Sequence, residues 1–277
     1  MIELARSWLY VPAHRIELLA KAMAGSADAV VLDLEDAVPG RAKDEARRNA
    51  VAAVSAEQPK PLWVRVNSLD TPWGGADLSA LAGSAAAGLR LPKAEEPDAV
   101  RAVMERVGLP VQPIVESALG VENAFRLATA HPLVAALSLG EADLMADLRL
   151  RDRSALTWAR QRLVNASRAA GLPSPPLAVW TNVADLDGLA EDTVTGKGAG
   201  FFGRSVVHPR QVDVVNRLFT PDPEEVSDAR TWLEGQRAHD EAAWLDELGR
   251  FVDPALIANA RWLVTLADSL EKRGTTR

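Results

Sequence analysis

Two carboxylates, Glu116 and Asp143, stand about one strand–helix unit apart. Each follows a short apolar run, VQPIV at 111–115 and VAALSL at 134–139. If those runs are neighbouring parallel strands, both carboxylates end on one rim. They cannot both ionise comfortably there without a cation between them. A hard cation, Mg²⁺ or Mn²⁺, with open positions for substrate oxygens, suits such a pair. The pattern alone equally allows each carboxylate to cap the helix that follows it.

Other strand-end residues extend the constellation. Arg65 lies inside the apolar stretch LWVRV at 62–66. A charge there must face a polar mouth or be paired, because unpaired burial is costly. Its fork of donors fits a keto or carboxylate group, and an ion pair with Glu35 or Asp36 is the structural alternative. Lys93 ends GLRLP at 88–92 and reads as a carboxylate or phosphate contact, a surface lysine or a Schiff-base lysine. His208, before Pro209, reads as a cap rather than a general base. His14, His131 and His239 have no metal-ligand spacing, which disfavours a zinc aldolase.

The elements that must position these groups are visible as an alternation. Eight short apolar runs recur: 8–11, 29–34, 62–66, 88–92, 111–115, 134–139, 176–180 and 200–207. Ala-rich charged stretches that read as crossover helices separate them, among them 15–24, 41–56, 97–107, 122–130, 154–170 and 187–198. Eight strand–helix repeats predict an α/β protein, a (β/α)₈ TIM barrel with its site at the C-terminal strand ends. An open doubly wound sheet is less suited, since no Gly-x-Gly-x-x-Gly follows the first run. The expected division is a catalytic barrel over residues 1–220 and a helical extension over 221–277. In the extension, 224–247 reads as one helix. After a break at Gly249–Pro254, Leu256, Ile257, Ala260, Leu263, Leu266 and Leu270 form an apolar stripe. That stripe covers either its own barrel or a neighbouring subunit.

Composition narrows the function classes. The 277 residues are 48% hydrophobic and 25% charged, with net charge −7. An acidic chain without a basic tract is a poor nucleic-acid binder. The absence of cysteine excludes disulfides and thiolate chemistry. No apolar run has membrane-spanning length, and MIELARSWLY lacks a signal-peptide core, so a cytoplasmic protein with no membrane partner is expected.

RSWLYVPAHR, AVVLDLEDAVPGRAKDEAR, LWVRVNS, LRLPKAE, PIVESALGVENA, LSLGEADLMADL and GFFGRSVVHPRQ, in this order, resemble the citrate lyase β-subunit family of the HpcH/HpaI aldolase superfamily over roughly residues 5–215. The resemblance implies Mg²⁺ on Glu116 and Asp143, with Arg65 on the keto-acid carbonyl and carboxylate. It implies a carbon–carbon lyase that cleaves or forms malyl-CoA, citramalyl-CoA or a citryl thioester. A free-keto-acid aldolase without CoA, and an accessory subunit of a larger complex, are the alternatives. A homotrimer or hexamer is implied, in which a C-terminal segment crosses to the next subunit and supplies an aspartate, here Asp253. Glu35 and Asp36 would hold Arg65 or metal-bound water. The chain departs from the family pattern at four places. LGRFVDPAL lacks the first aspartate and the glycine of the usual crossing segment, Ala142 replaces a glutamate, Leu177 stands where many members have aspartate, and Gly203-Arg204 replaces glycine-lysine.

Overall fold

The computed structural model describes residues 5–238 and 243–275. Contacts divide the chain into two units, Met1–Arg217 and Leu218–Arg277.

The first unit is the expected barrel. Its strands are β1 (Ser7–Pro12), β2 (Ala29–Asp33), β3 (Leu62–Arg65), β4 (Gly88–Leu91), β5 (Val111–Val115), β6 (Ser138–Leu139) and β7 (Arg204–Val206). They form one parallel sheet in the order β6-β5-β4-β3-β2-β1-β7, so the last strand returns beside the first. The run at 176–180 is the exception to the expected eight full strands. It joins β7 through a single bridge, Leu177 to Arg204, with Leu177 N donating to Gly203 O and Ser205 N to Leu177 O. Pro173, Pro175 and Pro176 precede that bridge, and residues without N–H groups cannot extend a ladder.

Between strands run α1 (Glu17–Ala24), α2 (Lys43–Ser55), α3 (Gly74–Leu81), α4 (Pro97–Val107), α5 (Ala118–Glu122), α6 (Ala124–Ala128), α7 (Glu141–Asp147), α8 (Thr157–Ala169) and α9 (Leu186–Gly198), with α10 (Pro209–Phe219) after β7. Sequence cues fix some ends. Pro97 opens α4 and Gly108, at φ +65°, closes it. His208 Nδ1 accepts from Arg210 N at the start of α10, the capping role expected of it. Inside the barrel the lower layer is aromatic, with Trp8 and Trp63 edge to face at 5.5 Å among Ala29 and Val31. Gly88 makes room for Trp63, whose ring would meet an added Cβ at 2.4 Å.

The second unit corrects the helix expected over 224–247. Helix α11 spans Pro223–Ala238, and Trp244–Leu245 and Phe251–Val252 pair antiparallel as β8 and β9. Asp246 organises the hairpin by accepting from Leu248 N, Arg250 N and Trp232 Nε1. Gly249, at φ +76°, turns the chain. Helix α12 (Pro254–Thr275) then buries Ile257, Ala260 and Leu266 of the expected stripe. Among the described residues no helix is long and apolar enough to cross a membrane.

Candidate active site

Asp33 closes β2, and its Cα partner across the sheet is Arg65 of β3. That register makes a fork-to-fork ion pair: Arg65 Nε donates to Asp33 Oδ1 at 2.7 Å and Nη2 to Oδ2 at 2.8 Å. Arg65 Nη1 also reaches Glu35 Oε2 at 2.8 Å and Asp36 Oδ2 at 3.1 Å. Burial opposes the charge on Arg65, but the hydrogen bonds and charge of Asp33 outweigh it and hold the guanidinium firmly protonated. The structural ion pair considered for Arg65 is therefore present, and its main partner is Asp33.

The loop after β2 is shaped to hold these acids. Asp33 accepts from Glu35 N at 3.0 Å and Ala37 N at 3.1 Å, turning the chain so that Glu35 and Asp36 meet Arg65. From α2 the buried Lys43 ammonium donates to Leu34 O, Glu35 O and Asn67 Oδ1 at 2.6, 2.7 and 2.5 Å. Asn67 in turn donates through its N and Nδ2 to Asp77 of α3, which also takes Arg47 Nε.

Glu116 follows β5 and is buried. Its Oε1 accepts from Lys93 N at 2.7 Å. Lys93 contributes here through its backbone, held at φ +51°, while its side chain is exposed. Gly140 abuts the same carboxylate, and a Cβ added there would lie 2.3 Å from Glu116 Oε2. Burial, then the negative charges of Asp143 and Asp36, push the Glu116 carboxyl up to about 7, against the pull of the Lys93 amide and Arg65. Burial first, with the charges of Asp36, Glu116 and Asp33, pushes Glu35 up to about 8 despite Arg65. The two candidate ligands thus share one electrostatic neighbourhood with Arg65, Glu35 and Asp36. Asp143 is exposed in the first turn of α7.

This donor set fits a hard divalent cation. Its carboxylates crowd together and raise one another's proton affinity, the condition a cation relieves. Among the described residues no three acidic or histidine groups form a complete cage. Two carboxylates with the rest left to water and substrate oxygens is the arrangement Mg²⁺ favours.

Three further expectations are located. Glu141, one place before the usual family glutamate position, is buried against Arg160 (2.8 and 3.0 Å) and Arg153 (2.5 Å), so it ties α7 to α8. Arg204 is buried on Asp192, Thr193 Oγ1 and Ala178 O. Asp253 lies in the second unit, where its Oδ1 accepts from Leu256 N at 2.8 Å and caps α12. Of the histidines, His131 Nδ1 accepts from Leu133 N, and His239 lies outside the described residues. From sequence Asp33 stands with Glu35 and Asp36 among the polar residues that end the second run but is not paired with Arg65; its place one strand across from Arg65 was the usable signal.

Comparison with known proteins places the chain in a family. Residues 6–209 match the HpcH/HpaI aldolase/citrate lyase family. The chain is 33% identical over 283 residues to a (3S)-malyl-CoA thioesterase of Cereibacter sphaeroides, covering 98% of this chain and 97% of the relative. It is 30% identical over 286 residues to citrate lyase subunit beta of Escherichia coli strain K12, covering 95% and 93%. The crystal structure of the CitE protein of Mycobacterium tuberculosis with magnesium, acetoacetate and coenzyme A superposes with a TM-score of 0.80 at 32% identity, covering 95% of this chain and 97% of that one.

Proposed function

The chain belongs to the HpcH/HpaI aldolase/citrate lyase family, and from that premise we propose that it is a Mg²⁺-dependent carbon–carbon lyase. Its substrate is a hydroxyacyl-CoA of the malyl, citramalyl or citryl type, cleaved to an acyl-CoA and a keto acid or formed from them. The observation that carries this reading is the buried Glu116 carboxylate, set among Asp143, Asp36 and Arg65 with its proton affinity raised. Magnesium held by Glu116 and Asp143 would supply Lewis-acid polarisation of the oxygen that becomes the keto group; Mn²⁺ fits the same donors.

The chain's own residues supply the rest. Arg65 stabilises negative charge on the reacting oxygen. Asp33 fixes its plane, while Glu35 and Asp36 exchange their Nη1 contacts for substrate. Breaking the carbon–carbon bond leaves its electron pair on the acyl thioester as an enolate, which an acid must protonate. We assign that proton to Asp253 from a neighbouring copy of the chain, in a homotrimer or hexamer. The support is an apolar hairpin that leaves Leu245, Leu248 and Phe251 exposed just before Asp253. The proposed setting is the cytoplasm, with no membrane or nucleic-acid partner. Lys93 places its backbone on Glu116, and its exposed ammonium is left for an anionic part of the substrate.

A second reading follows from the relative named a malyl-CoA thioesterase: hydrolysis of the thioester itself. One experiment separates the two. Purified protein is incubated with malyl-CoA, citramalyl-CoA or citryl-CoA, with Mg²⁺ or with EDTA, and keto acid and free thiol are both followed. Metal-dependent glyoxylate, pyruvate or oxaloacetate without thiol establishes the lyase. Thiol release without keto acid establishes the hydrolase. Neither product, with pyruvate binding retained, leaves the CoA-independent aldolase.

A further inference from the structure

Beside Arg65 the barrel interior holds a second guanidinium. Arg90 of β4 is the Cα partner of Arg65 on β3 and is only 1% exposed. Among the described residues no carboxylate pairs with it, and its Nε and Nη2 are buried without a hydrogen-bond partner. A buried charge left in this state costs stability. An apolar side chain of similar volume fills such a position without that cost. Stability alone therefore does not account for Arg90.

What Arg90 does hold is Tyr10. Strand alternation puts Trp8 and Tyr10 on one face of β1. The Arg90 guanidinium lies over both rings, 4.6 Å from the Trp8 centroid and 5.4 Å from that of Tyr10. Its Nη1 donates to Tyr10 Oη at 2.9 Å and to Ser205 Oγ of β7 at 2.8 Å. The half-buried phenol is thus tied down at its oxygen. Over the same ring stands the guanidinium of Arg65, its carbon 5.1 Å from the centroid. Two like charges on neighbouring strands repel, and a shared ring draws each of them in.

Arg65 has few other restraints. Its Nε and Nη2 are taken by Asp33, and its Nη1 by Glu35 and Asp36. Once substrate displaces Glu35 and Asp36, only the Asp33 edge remains. A plane held along one edge tips about it, and an aromatic ring against the guanidinium opposes the tipping. We propose that Tyr10, locked by Arg90, is the positioning residue that keeps Arg65 aimed at the reacting oxygen. Arg90 acts through Tyr10 and touches no substrate. This rests on the lyase reading above and deepens it. Arg65 opposes charge that develops in the transition state, so loss of its aim falls on kcat more than on KM.

The test uses the full-length, Mg²⁺-loaded protein and whichever of malyl-CoA, citramalyl-CoA and citryl-CoA it cleaves. Arg90→Met is expected to unfold at no lower denaturant concentration than the parent and to lose about 10- to 100-fold in kcat, with KM changed far less. Tyr10→Leu, which removes the ring, is expected to show the same loss of kcat. Tyr10→Phe keeps the ring but frees it from Arg90. It is expected to lie between, and it decides in the same way should Arg90→Met fail to fold. In an Arg65→Lys background, Arg90→Met is expected to cost much less than in the parent, because the group it acts through is gone. Parent kcat in Arg90→Met or Tyr10→Phe overturns the inference. So does a kcat loss matched by lost stability, or one of equal size in both backgrounds. Each of these leaves the lyase reading standing. Release of no keto acid by the unaltered protein overturns both.

Discussion

At the scale of single residues the proton is the first competitor for the metal. The Glu116 carboxyl is pushed up to about 7 and that of Glu35 to about 8, chiefly by burial. A carboxyl with a folded pKa above its unfolded value keeps its proton longer in the folded chain. The metal-free fold therefore loses stability as pH rises from about 4.5 through 7 to 8, and stays less stable above. Glu116→Gln removes the part due to that group. The variant is expected to gain roughly 1–3 kcal/mol over the metal-free parent at pH 8 and nothing near pH 4, read by chemical denaturation at both. The same variant is expected to lose Mg²⁺ binding, so stability and function move in opposite directions. A variant no more stable at pH 8 would mean that Glu116 is not strained by its surroundings. Gly140→Ala presses a methyl onto the Glu116 carboxylate. We expect it to fold yet bind Mg²⁺ at least about tenfold more weakly, as loss of a group supporting a ligand does; unchanged affinity in a metal titration would place the cation elsewhere. Glu116, Asp143 and Arg65 were legible as strand-end polar residues. The use of Lys93 was not, since the working group is a backbone N–H and no side-chain chemistry announces it.

At the scale of elements, the acid-bearing loop after β2 is held by a chain of buried polar groups running through α2, β3 and α3. Lys43 caps two loop carbonyls and Asn67 together, Asn67 donates to Asp77, and Asp77 takes Arg47. Lys43→Met leaves these acceptors buried and unpaired. It is expected to cost about 2–4 kcal/mol in denaturant unfolding and to raise KM for the hydroxyacyl-CoA by freeing Glu35 and Asp36 from their register. A variant of full stability would show that water replaces the ammonium and that the loop is shaped by Asp33 alone. Strand–helix alternation made the barrel readable, because strands buried on both faces appear as uninterrupted apolar runs. Helix α3 was not readable. It opens on Gly74-Gly75, poor helix formers, and Gly74 stands where it does because a Cβ would lie 2.4 Å from Ser68 O. Likewise the first strand of the hairpin, Trp244–Leu245, lay inside a stretch of helical composition, and the turn depends on Asp246 collecting local N–H groups, which periodicity does not report.

At the scale of the whole molecule, the proposed mechanism calls for a second copy of the chain. Residues 6–209 carry the family match, but the proposed proton donor, Asp253, lies in the second unit. That unit leaves Leu248 76% and Phe251 64% exposed on a hairpin that ends at Asp253. Apolar side chains this open, clustered on nine residues of chain, fit a surface that another copy covers. If Asp253 serves the neighbouring site, two inactive variants can repair each other. Asp253→Asn keeps its own Glu116 and lacks the acid, whereas Glu116→Gln lacks the ligand and keeps the acid. Each alone is expected to be inactive. Co-expressed and purified together, they are expected to recover about a quarter of the parent lyase activity, the fraction of sites drawing both intact groups from different chains under random mixing. Leu248→Glu with Phe251→Glu is expected to convert the assembly to single chains in light scattering and to abolish that recovery. Activity that stays absent on co-expression, in an assembly shown to contain both chains, would place Asp253 in its own chain's site or outside the reaction. Asp253→Asn that is active alone would reduce Asp253 to the helix cap seen on Leu256.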